Sequence, residues 1–415
     1  MSIDVRTRLH KDTRALTRDE VFDAVVPDAI SVHGDLAARG VAVQQLPALG
    51  LDVDGRAITL VVDGDSLAVR NGVGSAGVVA TMPADALSDV VQDLQSTMGL
   101  CMTARVQITQ GSINDWIGWE PVLRALFDGR RVHEAGDVIF VDRDGGPLDL
   151  DRAFTVDDDR EELAHFLEQA GFLHLCGVFD EGEMAAVGRD IDAWIERATP
   201  DDSASWWATD DQGVDQAVRV LFFLEKSEQL RALVADERFA WIAGLTGDGH
   251  VHCNGAEGLV KPLGIVRGLS DLPWHKDCGQ GKHSYECNSL TCGISVTGAD
   301  RVSGALGVIP GSHRANTMAT GRDRRLDLAP RMLETRVGDV TVHCSDTLHR
   351  AHPPVERPRQ VVYTDFRLPP LPGDVVEADP RYSREARADL SSAQARIEAA
   401  DNAASTERYQ AGRGR

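Results

Sequence analysis

A chain of 415 residues with a formal charge of −22 and a pI near 4.9 repels phosphate backbones and anionic lipid, which sets nucleic acid aside as a partner. Hydrophobic residues at 42% and charged residues at 26% are ordinary globular proportions, and no apolar run is long enough to span a bilayer, so a cytoplasmic protein with no membrane span is expected. The seven cysteines, at 101, 176, 253, 278, 287, 292 and 344, include no C-x-x-C pair, so neither a zinc ribbon nor a disulfide framework is indicated and reduced thiols are the expectation.

The length suits two cores and a tail. Residues 17–48 read as one or two helices: Thr17 and Glu20 stand at capping-box spacing, an apolar face runs through Val21, Phe22, Val25, Val26 and Ile30, and Pro27 is a kink point. The period then changes. Residues 58–62 and 66–70 flank Asp63-Gly64-Asp65 as a hairpin, and residues 77–82 give a third strand. A helix over 86–95, a strand over 104–109 and a helix over 119–127 closed by Asp128-Gly129 complete a small α+β unit. Its order of elements, carried by "ALSDVVQDLQSTMGLCMTARVQITQG" and "WEPVLRALFDG", resembles the sterol-carrier-protein-like domain over residues 20–135, with an accessory domain of filled core as the other reading.

The Asp- and Gly-rich stretch 141–159 has linker composition and puts a boundary near 150. A helix over 161–170 with Gly171 as its C-cap, a strand over 172–175 and a helix over 181–198 follow. Short apolar runs between turns, at 264–267, 290–296, 305–309, 339–344 and 360–366, predict an all-β core. Residues 373–415 are Ala-, Arg- and Asp-rich and read as a frayed surface helix. The division is therefore 1–150 accessory, 151–372 β core with flanking helices, and 373–415 tail.

Trp274-His275-Lys276-Asp277 carries the chemistry. In extended backbone, residues two apart point the same way, so His275 and Asp277 converge on one point and a third ligand must come from elsewhere. Two imidazoles and one carboxylate on one face of an octahedral ion leave three positions open, the arrangement suited to iron(II) oxygen chemistry, whereas structural zinc takes four protein ligands.

Three segments resemble the phytanoyl-CoA hydroxylase (PhyH) family: "HFLEQAGFLHLCGVFDEGEMAAVGRDID" its opening, "VSGALGVIPGSHRANT" its Pro-Gly-Ser-His-Arg pattern at Pro310 to Arg314, and "GDVTVHCSDTLHRAHPPVERPRQVVYTDF" its closing strands. The resemblance implies a double-stranded β-helix (jelly roll, cupin-like) fold and a metal set of His275, Asp277 and His349. It also implies an arginine for the far carboxylate of 2-oxoglutarate. Arg359 is favoured because it opens the last β run, but it stands one residue nearer His349 than the family spacing, and Arg357 is the substitute. Retention of Asp277 favours hydroxylation over the halogenation of relatives that lack this carboxylate. The expected cofactors are iron(II), 2-oxoglutarate as cosubstrate and O2, with succinate and CO2 released.

His283, His313, His343 and His352 compete as ligands, and Cys278 and Cys344 read as small buried hydrophobes. Trp274 and Trp206-Trp207 are candidates for pocket walls. The substrate expected is a small or lipid-like molecule, including an acyl-CoA if Arg314, Arg322, Arg324 and Arg325 meet a phosphorylated group; as a solvated loop they do not. A lipid or acyl carrier with an inactive β core is the alternative function.

Overall fold

A computed structural model describes residues 13–102, 104–202, 204–267, 272–278, 289–319, 323 and 325–368. His283, Arg322, Arg324 and the expected tail helix lie outside the described residues. Among the described residues, two large cores form, one from Val21 to Val132 and one from Phe154 to Phe366, with a small cluster around Ile309 and Leu348. Among the described residues, no helix is long and apolar enough to cross a membrane.

The first core is built as its sequence directs. Thr17 and Glu20 close a reciprocal capping box, and one π-helical stretch, Val21–Val25, leads into the helix Val26–Gln44. Pro27 lies inside this continuous helical run, directly after the π-helical stretch, so the run bulges there rather than breaking. Five strands follow: β1 (Leu49–Val53), β2 (Arg56–Asp63), β3 (Ser66–Asn71), β4 (Val78–Met82) and β5 (Gln107–Gln110), in spatial order β3-β2-β1-β4-β5. The Asp63-Gly64-Asp65 hairpin is where the sequence places it, joining β2 to β3. The first strand went unread, although Asp54 (φ 46°) and Gly55 (φ 80°) are the two positive-φ residues that a tight β1–β2 hairpin needs. The helix Glu120–Asp128 ends on left-handed Gly129 as expected and buries Val122, Leu123 and Leu126 in this core.

The second core lies mainly within two sheets. Strands β6 (Phe172–Leu175), β7 (Ser205–Asp210), β8 (Asp215–Val220), β9 (Val251–Lys261), β10 (Ile265–Arg267), β11 (Leu272–His275), β12 (Leu290–Ser295), β13 (Leu306–Val308), β14 (Arg331–Leu333), β15 (Val340–Cys344), β16 (His349–Ala351) and β17 (Arg359–Arg367) divide into an eight-stranded sheet, β10-β7-β8-β9-β17-β12-β15-β6, and a four-stranded sheet, β11-β16-β13-β14. Every strand pair in both is antiparallel. Inner strands bury alternate apolar residues, Leu290, Cys292 and Ile294 on β12 and Val340 and Val342 on β15. The helix Arg160–Ala170 ends on Gly171 (φ 78°), and the helix Glu181–Ile195 starts from a capping box at Asp180 and Glu183.

Asn316, Asp323 and Asp327 join the two cores. Asn316 donates to the carbonyls of Pro121 and Arg130, both at 2.8 Å, Gln44 Nε2 donates to Asp323 Oδ2 at 2.8 Å, and His133 Nε2 lies 2.9 Å from Asp327 Oδ1.

Candidate metal centre

Strand register brings the centre together. His275 ends β11 and His349 begins β16, and the two stand directly opposite each other, with ring centroids 4.2 Å apart. Asp277 follows His275 by two residues; its Oδ1 is 3.3 Å from His275 Nε2 and 3.5 Å from His349 Nε2. One ligand atom from each of the three falls within 4.8 Å of the others, close enough for one metal ion to be held between them. The His349 Nδ1–H donates to the Thr347 carbonyl at 2.9 Å, which turns Nε2 toward the centre, and Thr291 Oγ1 donates to Asp277 Oδ2 at 3.0 Å. Burial alone would raise the Asp277 carboxyl, but the imidazoles of His349, His275 and His343 outweigh it and hold the group well below the usual carboxylate range.

The backbone carrying His275 and Asp277 is anchored through the residue between them. Lys276 is buried; its Nζ lies 2.9 Å from Asp346 Oδ1 and donates to the Ser312 carbonyl at 3.2 Å, while its backbone N–H donates to Ala319 at 2.8 Å. Ser312 Oγ in turn accepts from the Leu348 N–H at 2.8 Å, one residue before His349. The Pro-Gly-Ser-His segment thus ties both halves of the centre. A Cβ on Gly311 (φ 74°) would lie 2.7 Å from Phe140 and Val138, so only glycine fits the turn. His313 faces away, with Nε2 2.9 Å from the Glu168 carbonyl.

The triad opens into a cavity of about 140 Å³ that Arg219, Lys261, Thr291, His343, Arg359 and Tyr363 also line. Arg359 is 4% exposed, and its Nε and Nη2 have no hydrogen-bond partner among the described residues. It stands directly opposite Lys261, whose Nζ donates to the His352 carbonyl at 2.6 Å. Two like charges facing each other across a ladder are destabilising unless an anion lies between them. Arg357, by contrast, is at the surface in an ion pair with Asp300.

Residues 167–357 match the phytanoyl-CoA dioxygenase (PhyH) family. The PhyH match takes in His275, Asp277, His349 and the Pro-Gly-Ser-His segment and stops two residues short of Arg359. Residues 20–135 lie outside it, and nothing in the comparisons supports the sterol-carrier resemblance there. No curated protein matches the chain. Among solved structures, the epimerase SnoN in complex with Fe3+, alpha ketoglutarate and nogalamycin RO is 18% identical, with 53% of this chain and 93% of that chain covered at a TM-score of 0.41. AviO1 from Streptomyces viridochromogenes Tue57 is 20% identical over 52% of this chain and 98% of that one, TM-score 0.41. EctD from S. alaskensis with bound Fe is 18% identical over 57% and 83%, TM-score 0.42. Likeness at this level leaves the reaction of this chain open.

Several groups of the candidate centre were not visible in the sequence. Lys261 sits on a strand that was not anticipated, as does Arg219, whose Nη1 donates to Glu257 at 2.8 Å and whose guanidinium stacks 4.2 Å from the Trp206 ring. Trp206 therefore backs the cavity through Arg219, whereas Trp274 packs against the small cluster around Ile309 and Leu348. His343, one of the competing histidines, lies beside the triad, with Nε2 3.5 Å from Asp277 Oδ2. Cys278 is buried beside Asp346, and Cys344 packs on the second core. Of the basic cluster, Arg314 donates to the Ile139 carbonyl and Arg325 to Gln44, so both are engaged within the fold.

Proposed function

We propose that residues 151–372 form a double-stranded β-helix domain working as an iron(II)/2-oxoglutarate-dependent dioxygenase, with His275, Asp277 and His349 as the metal ligands and Arg359 as the partner of the cosubstrate's far carboxylate. The observation that carries this reading is one buried cavity holding both a two-histidine, one-carboxylate cluster and an arginine with unpaired donors. The residues fit the pair of cofactors. Two neutral imidazoles and one carboxylate leave a divalent ion with one net positive charge, and Arg359 with Lys261 adds the cationic wall that a dianionic keto acid needs. When bound, iron(II) with 2-oxoglutarate and O2 supplies the oxidising power to hydroxylate a substrate carbon, releasing succinate and CO2. The chain's own part is to fix the His349 ring through Thr347, the Asp277 carboxylate through Thr291 and the backbone between His275 and Asp277 through Lys276, to orient the keto acid through Arg359, and to exclude water.

The cavity is smaller than the roughly 300 Å³ at which ligand pockets usually begin. It suits the cosubstrate, and the Arg219–Glu257 pair on its wall favours a small polar substrate over an acyl chain. Residues 1–150 and 373–415 are taken as an accessory unit and a tail, the first with its own core. Arg359→Ala is expected to raise the 2-oxoglutarate requirement by about 30-fold or more, the usual effect of truncating a buried charge partner. Arg357→Ala should leave that requirement unchanged. Steady-state succinate release over a range of 2-oxoglutarate checks both, and equal effects of the two variants would remove Arg359 from its role.

A further inference from the structure

A second group of metal-binding side chains lies at the β6 edge of the eight-stranded sheet. His174 on β6 and Cys176 just beyond it are two residues apart and share a face, and Asp339 immediately precedes β15, the strand paired with β6. His174 Nε2 is 3.0 Å from Asp339 Oδ2 and 3.8 Å from Cys176 Sγ, and one ligand atom from each residue lies within 4.8 Å of the others. Asp339 is four residues from His343 along an extended strand, about 13 Å away at the usual rise, so this group is separate from the centre at Asp277.

The backbone holds the three donors in place. Phe154 donates its N–H to the His174 carbonyl at 2.8 Å and accepts the Cys176 N–H at 2.7 Å, which pins His174 and Cys176 from one side. Asp339 accepts the N–H groups of Gly177 and Arg336, both at 2.8 Å, which fixes its carboxylate and still leaves a lone pair on each oxygen. A tetrahedral ion with bonds of about 2.0 Å to nitrogen and oxygen and about 2.3 Å to sulfur separates its donors by roughly 3.3 to 3.6 Å, between the two distances found here. A thiolate, a carboxylate and a neutral imidazole together neutralise a divalent charge. The half-buried position of Cys176 leaves room for water as a fourth ligand.

We propose that His174, Cys176 and Asp339 form a second cation site, distinct from the PhyH centre, that takes a zinc-like divalent ion. The sulfur donor selects against iron(II) and magnesium and toward zinc or cobalt(II). The site would close the sheet edge by cross-linking β6 to the start of β15.

Cobalt(II) titration of the full-length Asp277→Ala protein tests this with the first centre disabled. A thiolate-to-cobalt charge-transfer band should rise to one equivalent and be displaced by zinc. It should vanish in the added Cys176→Ser variant, and zinc affinity should fall about tenfold to a hundredfold or more in the added His174→Gln variant, whose amide can keep the hydrogen bond to Asp339. If Cys176→Ser does not fold, His174→Gln alone decides. Absence of the band, its survival in Cys176→Ser, or unchanged zinc affinity in His174→Gln would each overturn the site and mean a purely hydrogen-bonded cluster. None of these outcomes bears on the iron reading, because Asp277 is absent throughout.

Discussion

Asp277 meets the neighbouring groups through two oxygens, one toward the His275 and His349 rings and one toward Thr291 and His343. Thr291→Val removes the hydroxyl that orients the carboxylate without changing side-chain volume much. Iron(II) affinity should fall by about 10- to 100-fold, the usual cost of losing a ligand's supporting hydrogen bond, as measured by equilibrium dialysis; an unchanged affinity would mean that Thr291 does not orient the ligand. At this scale the sequence was readable where chemistry is local. The two-residue spacing brings His275 and Asp277 together, although the strand ends at His275 and Asp277 lies in the bend beyond it. The pairing of His275 with His349 was not readable from spacing, since it depends on strand register across the 73 residues between them. Arg357 stayed open beside the favoured Arg359 because two residues decide whether a side chain lies inside the ladder or in the turn before it.

Among the elements, the end of β11 is held by a buried ion pair rather than by ladder hydrogen bonds alone. Lys276→Met would leave Asp346 charged and unpartnered by this lysine in the interior, a loss of about 3–5 kcal/mol in comparable cases. Urea unfolding should show that destabilisation, and the double variant Lys276→Met/Asp346→Leu should recover a good part of it. Recovery of nothing would point to a purely steric role for the lysine. Strands with clean alternation, such as β12, β15 and β17, were legible. Strand β9 was not, because Asn254 sits in the left-handed region (φ 56°) and the pairing with β17 shifts register between Thr364 and Phe366. An irregularity of that kind interrupts the two-residue period on which strand reading depends. Strands β7 and β8 carry polar and acidic residues, with Asp210 at the end of one and Asp215 at the start of the other, which hid them as well.

For the whole molecule, the seam between the two large cores runs through Asn316, Asp323 and Asp327. Asn316→Ala would leave the buried carbonyls of Pro121 and Arg130 without this donor, costing about 1–3 kcal/mol; thermal unfolding that stays at the wild-type temperature would show that the seam contributes nothing. Stability should also depend on mildly acidic pH. Burial, with the positive charges of Arg350, Lys261, Arg301 and Arg359, holds the His352 imidazole down at about 4 against an ordinary 6.5. The unfolded chain then binds this proton first, so His352 favours unfolding progressively as pH falls from 6.5 to about 4 and adds nothing further below that. His352→Gln should flatten part of the slope in denaturant midpoints measured across this window. An identical slope would assign the acid sensitivity to other groups.

The most direct measurement is anaerobic titration of the metal-free protein with iron(II) and then 2-oxoglutarate, followed in the visible range. A metal-to-ligand charge-transfer band is expected that saturates at one equivalent, disappears in His275→Ala, and needs far more 2-oxoglutarate in Arg359→Ala. A folded wild-type protein that binds iron(II) yet develops no such band would contradict the proposed function.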